Sequence, residues 1–171
     1  NNVRGLAELQ ATLNELPTLE WLDLSANSLS GLDISRLPQL ETLDLHGNIL
    51  VDWPVGVLEA PRLRSLNLSN NQIESVPADA WYPEHLALMA GINLSDNLLL
   101  EGDLRVLHDY LLDSGHGLGF TEEEIDRLLD GYENDDEANG NGPDDEAHPE
   151  QQTPQEQKDQ WFNGVPAESE K

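Results

Sequence analysis

One frame of eleven positions, L-x-x-L-x-L-x-x-N-x-L, occurs four times in this chain of 171 residues. The copies run from Leu19 to Leu29, from Leu40 to Leu50, from Leu63 to Ile73 and from Met89 to Leu99. Their asparagines, Asn27, Asn48, Asn71 and Asn97, follow one another at 21, 23 and 26 residues. A second signal precedes three of the copies in the same register: Leu16-Pro17-Thr18-Leu19, Leu37-Pro38-Gln39-Leu40 and Ala60-Pro61-Arg62-Leu63. Self-similarity at this period means that each unit buries its apolar ridge against its neighbours rather than around one central core.

The frame has a direct physical meaning. In L-x-L, alternate side chains point to one face, so both leucines pack inward from a short strand. Successive strands then stack in parallel, with coil or helix returning between them. The asparagine leaves the strand at a sharp turn. Its amide carries two donor hydrogens and an acceptor, which can satisfy turn backbone groups that would otherwise be buried unpaired. Asn27, Asn48, Asn71 and Asn97 are therefore read as structural residues.

These four copies place the chain among the leucine-rich-repeat proteins, whose frame they resemble over residues 1–100. The resemblance implies an α/β solenoid with a curved parallel sheet. Composition agrees: 37% hydrophobic and 5% aromatic residues are lean for one compact core but sufficient for a solenoid. Asn1-Asn2-Val3-Arg4-Gly5-Leu6 aligns with Asn71-Gln72-Ile73-Glu74-Ser75-Val76, so the array is expected to extend before Asn1.

After Leu99 the frame stops. Residues 101–113 read as a helix with Leu104, Val106, Leu107, Leu111 and Leu112 on one side. Thr121-Glu-Glu-Glu124 is a capping box opening a second helix, through Ile125, Leu128 and Leu129, that is expected to stop near Gly131. The two form a helical C-terminal cap, residues 101–132. Gly115-His-Gly-Leu-Gly119 between them lacks the preceding strand and the spacing of a phosphate loop and reads as a flexible turn. Residues 133–157 are acidic, polar and rich in Pro, Gly and Gln, the composition of a disordered linker. Residues 158–171, with Trp161-Phe162, read as the start of a following domain.

Charge narrows the partners. Eight Lys and Arg stand against thirty-four Asp and Glu, a formal net charge of −26. Such a chain repels phosphate backbones and anionic membranes, so neither nucleic acid nor membrane is expected; a basic protein patch is the complementary surface. The chain has no cysteine, hence no disulfide, thiolate metal site or cysteine nucleophile within these residues.

The candidate binding surface is the concave face, formed by the strand residues between the leucines. These are Trp21, Asp23 and Ser25; Thr42, Asp44 and His46; Ser65, Asn67 and Ser69; then Gly91, Asn93 and Ser95. Trp21 is the one large aromatic among them, a residue type enriched at binding hot spots, and His46 is the group that titrates nearest neutrality. Asp23 and Asp44 occupy equivalent positions on adjacent strands, and a close carboxylate pair can do acid–base work. An open sheet offers no pocket for it, and Asp and Ser here also fit the repeat consensus.

Asp135 to Glu146 nearly matches a calcium loop, with acidic or amide groups at positions one, three and five, Gly at six and Glu at twelve. Position three is Glu, position eight is Gly, and the segment after it is a poor helix, so an acidic linker is the better account. His46, His85, His108, His116 and His148 form no H-x-x-x-H or similar pair. No metal, cofactor or catalytic residue is expected in this chain.

The order of parts resembles the secreted bacterial ubiquitin ligases of the NEL type, particularly the large toxin-like versions of pseudomonads. The array, two capping helices, an acidic linker and Gln157-Lys-Asp-Gln-Trp-Phe-Asn-Gly-Val-Pro-Ala-Glu-Ser-Glu-Lys171 follow in that family's order. In that family the repeats select the host protein and can hold the ligase domain inactive. A Cys-x-Asp motif in the ligase domain carries ubiquitin. The resemblance thus implies a host target protein, contact with the chain's own catalytic domain, and action in the host cytoplasm after secretion. A plain interaction or adhesion module of internalin type is the alternative.

Overall fold

The structure, a computed structural model, describes residues 5–138, and their side chains through residue 133. The calcium-like run and the linker beyond residue 138, the segment around Trp161 and the repeat start at Asn1–Arg4 lie outside what is described.

The repeat frame becomes a four-stranded parallel sheet in the order β1-β2-β3-β4. Its strands are β1 Trp21–Asp23, β2 Thr42–Asp44, β3 Ser65–Asn67 and β4 Ile92–Asn93. Equivalent repeat positions pair directly: Leu22 with Leu43, Leu43 with Leu66, and Leu66 with Ile92. A ladder in this register turns the frame leucines into continuous buried ridges. Leu40, Leu43, Leu45, Leu50, Leu68, Ile73 and Leu94 have no exposed surface. The return segments close the core from the other side with Leu32, Ile34, Leu37, Val57, Val76 and Ala80.

Those return segments differ in form. Helix α1, Leu6–Asn14, buries Leu13 and fastens itself to the next return segment through Gln10. The Gln10 amide donates to the Asp33 carbonyl (2.7 Å) and accepts from the Asp33 N–H (3.0 Å). The longest return folds as two 3₁₀ turns, Ala78–Trp81 and Pro83–His85, leading into α2, Leu86–Met89. The chain from Pro83 is thus wound more tightly over its first turn than in the α-helical turn that follows. Gly91 follows immediately, where a Cβ would lie 1.8 Å from the Arg64 carbonyl oxygen, so β4 can reach β3 only with glycine there.

The cap consists of α3, Glu101–Ser114, and α4, Glu122–Ala138. Of the residues expected on the inner side of α3, Leu104 and Leu107 are buried and Leu111 is partly buried against the core. Val106 and Leu112 face solvent instead. The i, i+3, i+7 spacing of 104, 107 and 111 defines one helical stripe, and 106 and 112 fall off it. The capping box of α4 is formed: the Glu124 N–H donates to Thr121 Oγ1 (3.2 Å), and the Thr121 N–H to Glu124 Oε2 (2.8 Å).

Helix α4 does not stop near Gly131 but continues to Ala138, so residues 133–138, expected in the linker, are helical. The next turn is held from outside. The Tyr132 hydroxyl donates to the Leu99 carbonyl (3.2 Å), and Glu133 pairs with Arg105 (3.5 Å). These contacts outweigh the cost of one interior glycine, about 1 kcal/mol. No helix among the described residues is long and apolar enough to cross a membrane.

Candidate concave interface

Two rows of side chains run across the repeats at the ends of the strands, and only one of them belongs to the surface. The inner row is the asparagine ladder. Asn48 accepts from the backbone N–H of Asn27 (3.1 Å) and Leu29 (2.8 Å) in the preceding repeat. Its amide donates to the carbonyls of Leu24 (3.0 Å) and Leu45 (2.9 Å). Asn71 repeats this pattern with Leu50, Leu45 and Leu68, and Asn97 with Ile73, Leu68 and Leu94. The structural role read from the frame is what the geometry gives. Asn27 donates to Leu24 and Ser25 within its own repeat.

The outer row is the concave face. Asp23, Asp44, Asn67 and Asn93 stand in register, and each side-chain oxygen accepts the backbone N–H two residues on. In three of these positions a serine hydroxyl donates to the same oxygen: Ser25 to Asp23 (2.6 Å), Ser69 to Asn67 (2.7 Å) and Ser95 to Asn93 (2.8 Å). The Ser25 hydroxyl, and then its N–H, hold the Asp23 carboxyl below its ordinary value of 3.8. Asp23 and Asp44 are therefore hydrogen-bond acceptors at the ends of strands on an open sheet, an arrangement that serves turn geometry rather than proton transfer.

Burial separates the predicted contact residues. Trp21 is 61% exposed and stands beside Thr42, whose smaller side chain leaves the indole open. Asp23, His46 and Ser65 are exposed; Ser25, Thr42, Asp44 and Asn67 are half-buried. Ser69 does not belong to the surface. It is 6% exposed, its hydroxyl engaged by Asn67 and 2.9 Å from His46 Nδ1. At the far end the cap closes over the fourth repeat. The Leu94 N–H donates to the Leu118 carbonyl (2.7 Å), so the 115–120 turn takes the place of a further strand. Gly119 lies on Asn93 so closely that a Cβ would come 2.1 Å from Asn93 Oδ1. The segment read as a flexible turn is thus the closure of the sheet. The open part of the concave face spans the first three repeats.

Sequence reasoning missed two exposed apolar pairs, in the second and fourth repeats. Ile49 and Val51 flank buried Leu50, and Leu98 and Leu100 flank buried Leu99. All four follow a ladder asparagine, and their apolar character in the N-x-L-x positions was the available signal. On the return segments Trp53 and Trp81 pack partly on the core, Trp81 against Tyr110 at 5.3 Å between ring centroids, while Tyr82 is exposed.

Comparison with known families agrees with this geometry. Residues 17–55 match the family model for leucine rich repeats in two copies, and residues 62–82 match that for a leucine rich repeat. No curated protein matches the chain. Leucine-rich repeats are present, and with the four-stranded parallel sheet they give the chain an α/β leucine-rich-repeat fold.

Proposed function

We propose that this chain is a protein-recognition module that binds its partner on the concave face of the first three repeats. The observation that carries the reading is Trp21, a large aromatic held in the open on a regular sheet whose other exposed side chains are polar. Asp23 and Asp44 lie beside it, and among the described residues neither carboxylate has a cationic partner. A basic segment of the partner fits this chemistry: a Lys or Arg stem on the indole and its head on the carboxylates. The chain itself carries out no reaction in this reading. Its residues supply binding alone.

The finer proposal is that the module selects the host target of a secreted bacterial ubiquitin ligase of the NEL type, acting in the host cytoplasm. What supports it is the order of parts, an array followed by a helical cap, an acidic stretch and the Trp161-Phe162 segment. A Cys-x-Asp motif encoded after Lys171 in the parent reading frame is the expected outcome. A β-rich continuation would favour the adhesion module instead.

The interface itself is tested with Trp21→Ala. Measured by calorimetry against a captured partner, the loss expected is about 2 kcal/mol, roughly thirtyfold in affinity. An unchanged affinity would move the site to the exposed Ile49–Val51 or Leu98–Leu100 pair or to the cap.

A further inference from the structure

Three metal-ligating side chains meet where α3 packs on α4, away from the concave face. His108 lies on α3 with its Nε2 3.4 Å from Asp126 Oδ1 on α4. Glu122 precedes Asp126 by one helical turn, so both carboxylates share a face of α4. One ligand atom from each of the three lies within 4.8 Å of the other two. We propose that His108, Glu122 and Asp126 bind a divalent transition metal, with Zn²⁺ the best match, and that the ion fastens α3 to α4.

The donor set decides the class of ion. One imidazole and two carboxylates suit zinc, whereas calcium and magnesium take oxygens. Tetrahedral zinc holds such ligands at about 2.1 Å, which puts them about 3.4 Å from one another. The His108–Asp126 distance already meets that figure. Glu122 is exposed, and one of its carboxylate oxygens lies within 4.8 Å of the other two ligand atoms. The His108 side chain is 27% exposed, so the one nitrogen ligand is held by the helix packing while the fourth position opens to water.

Electrostatics favours the same occupant. Like charges one turn apart on a helix repel, and a dication relieves this without needing a charged histidine. The neighbouring arginines are turned to other carboxylates, Arg127 to Glu123 at 4.0 Å and Arg105 to Glu101 and Glu133 at 2.7 and 3.5 Å. Residues 108 and 126 come together only through the turn between the helices, which is why no histidine spacing in the sequence announces the site.

The experiment is a ZnCl₂ titration of the whole chain, followed by calorimetry and by thermal unfolding with and without EDTA. One equivalent of zinc and an EDTA-reversible rise in Tm of several degrees are expected. Affinity falls at least tenfold in both His108→Ala and Glu122→Gln. The second variant keeps the His108–Asp126 contact and alters only an exposed side chain, so folding is preserved. No zinc-dependent rise in Tm would leave His108–Asp126 a simple contact between the helices and overturn the proposal. A rise that persists in both variants would also overturn it, because the ion would then sit on acidic residues elsewhere.

Discussion

The asparagine ladder and the concave row are built from nearly the same side chains, two or four residues apart in each repeat, yet they do opposite work. Asn48 and Asn71 are buried and bind the backbone of the repeat before them. Asn67 is half-buried and binds Ser69, two residues on, through that residue's N–H and hydroxyl. The first kind of bond joins repeats, and the second shapes one turn. A residue whose bonds stay within its own turn can be replaced at small cost, so the concave row is where a binding surface can vary while the array stands.

The most severe test of this contrast is a pair of substitutions. Asn48→Ala strands backbone groups of two repeats in the interior and is expected to cost about 3 kcal/mol in urea unfolding. Asn67→Ala is expected to cost less, about 1 kcal/mol, because it takes the partner from one residue, Ser69, whose hydroxyl still reaches His46. Equal losses would erase the distinction between the rows.

A smaller effect concerns the residue just before each ladder asparagine. Ala26, Gly47, Asn70 and Asp96 all have φ between 54° and 67°, the left-handed region. Alanine is the poorest of the four there, so Ala26→Gly is expected to stabilise by about 0.5–1 kcal/mol, read as a higher Tm. Gly47→Ala is expected to lower stability by a similar amount.

The smallest effect lies in the outer row. The folded chain holds the Asp23 proton less tightly than the unfolded chain, because Ser25 bonds the carboxylate. Its contribution to stability is therefore complete above pH 3.8 and is lost as the pH falls below that value through the folded pKa. Asp33, bonded in the same way by Ser35, behaves alike. In Ser25→Ala, NMR titration is expected to show the Asp23 pKa returning toward 3.8.

Much of the fold was legible because the frame is dense. Eleven positions repeated four times dictate strand, ridge and turn together, and the paired register follows. Alternation also placed Trp21, Asp23, Thr42 and Asp44 on one face. What was not legible depends on contacts across the fold. Burial of Ser69 follows from its bonds to Asn67 and His46. The continuation of α4 past Gly131 follows from Tyr132 reaching Leu99. The closing role of Gly119 follows from its seat on Asn93. The left-handed turn residues carried a weak signal, since Gly, Asn and Asp precede three of the four ladder asparagines, but Ala26 obscured it.

The ladder also has a sense of direction. Asn48, Asn71 and Asn97 each accept from the turn of the repeat before and donate to one carbonyl of that repeat and one of their own, so their bonds reach back and never ahead. A whole unit copied between Leu43 and Leu66 would therefore find its partners on both sides, and the array could lengthen by duplication in frame. Adding a single residue between a strand and its asparagine would break the bonds of two units at once. The grammar of such a protein tolerates new words far more readily than new letters, and that is how a recognition surface can grow without the scaffold being redesigned.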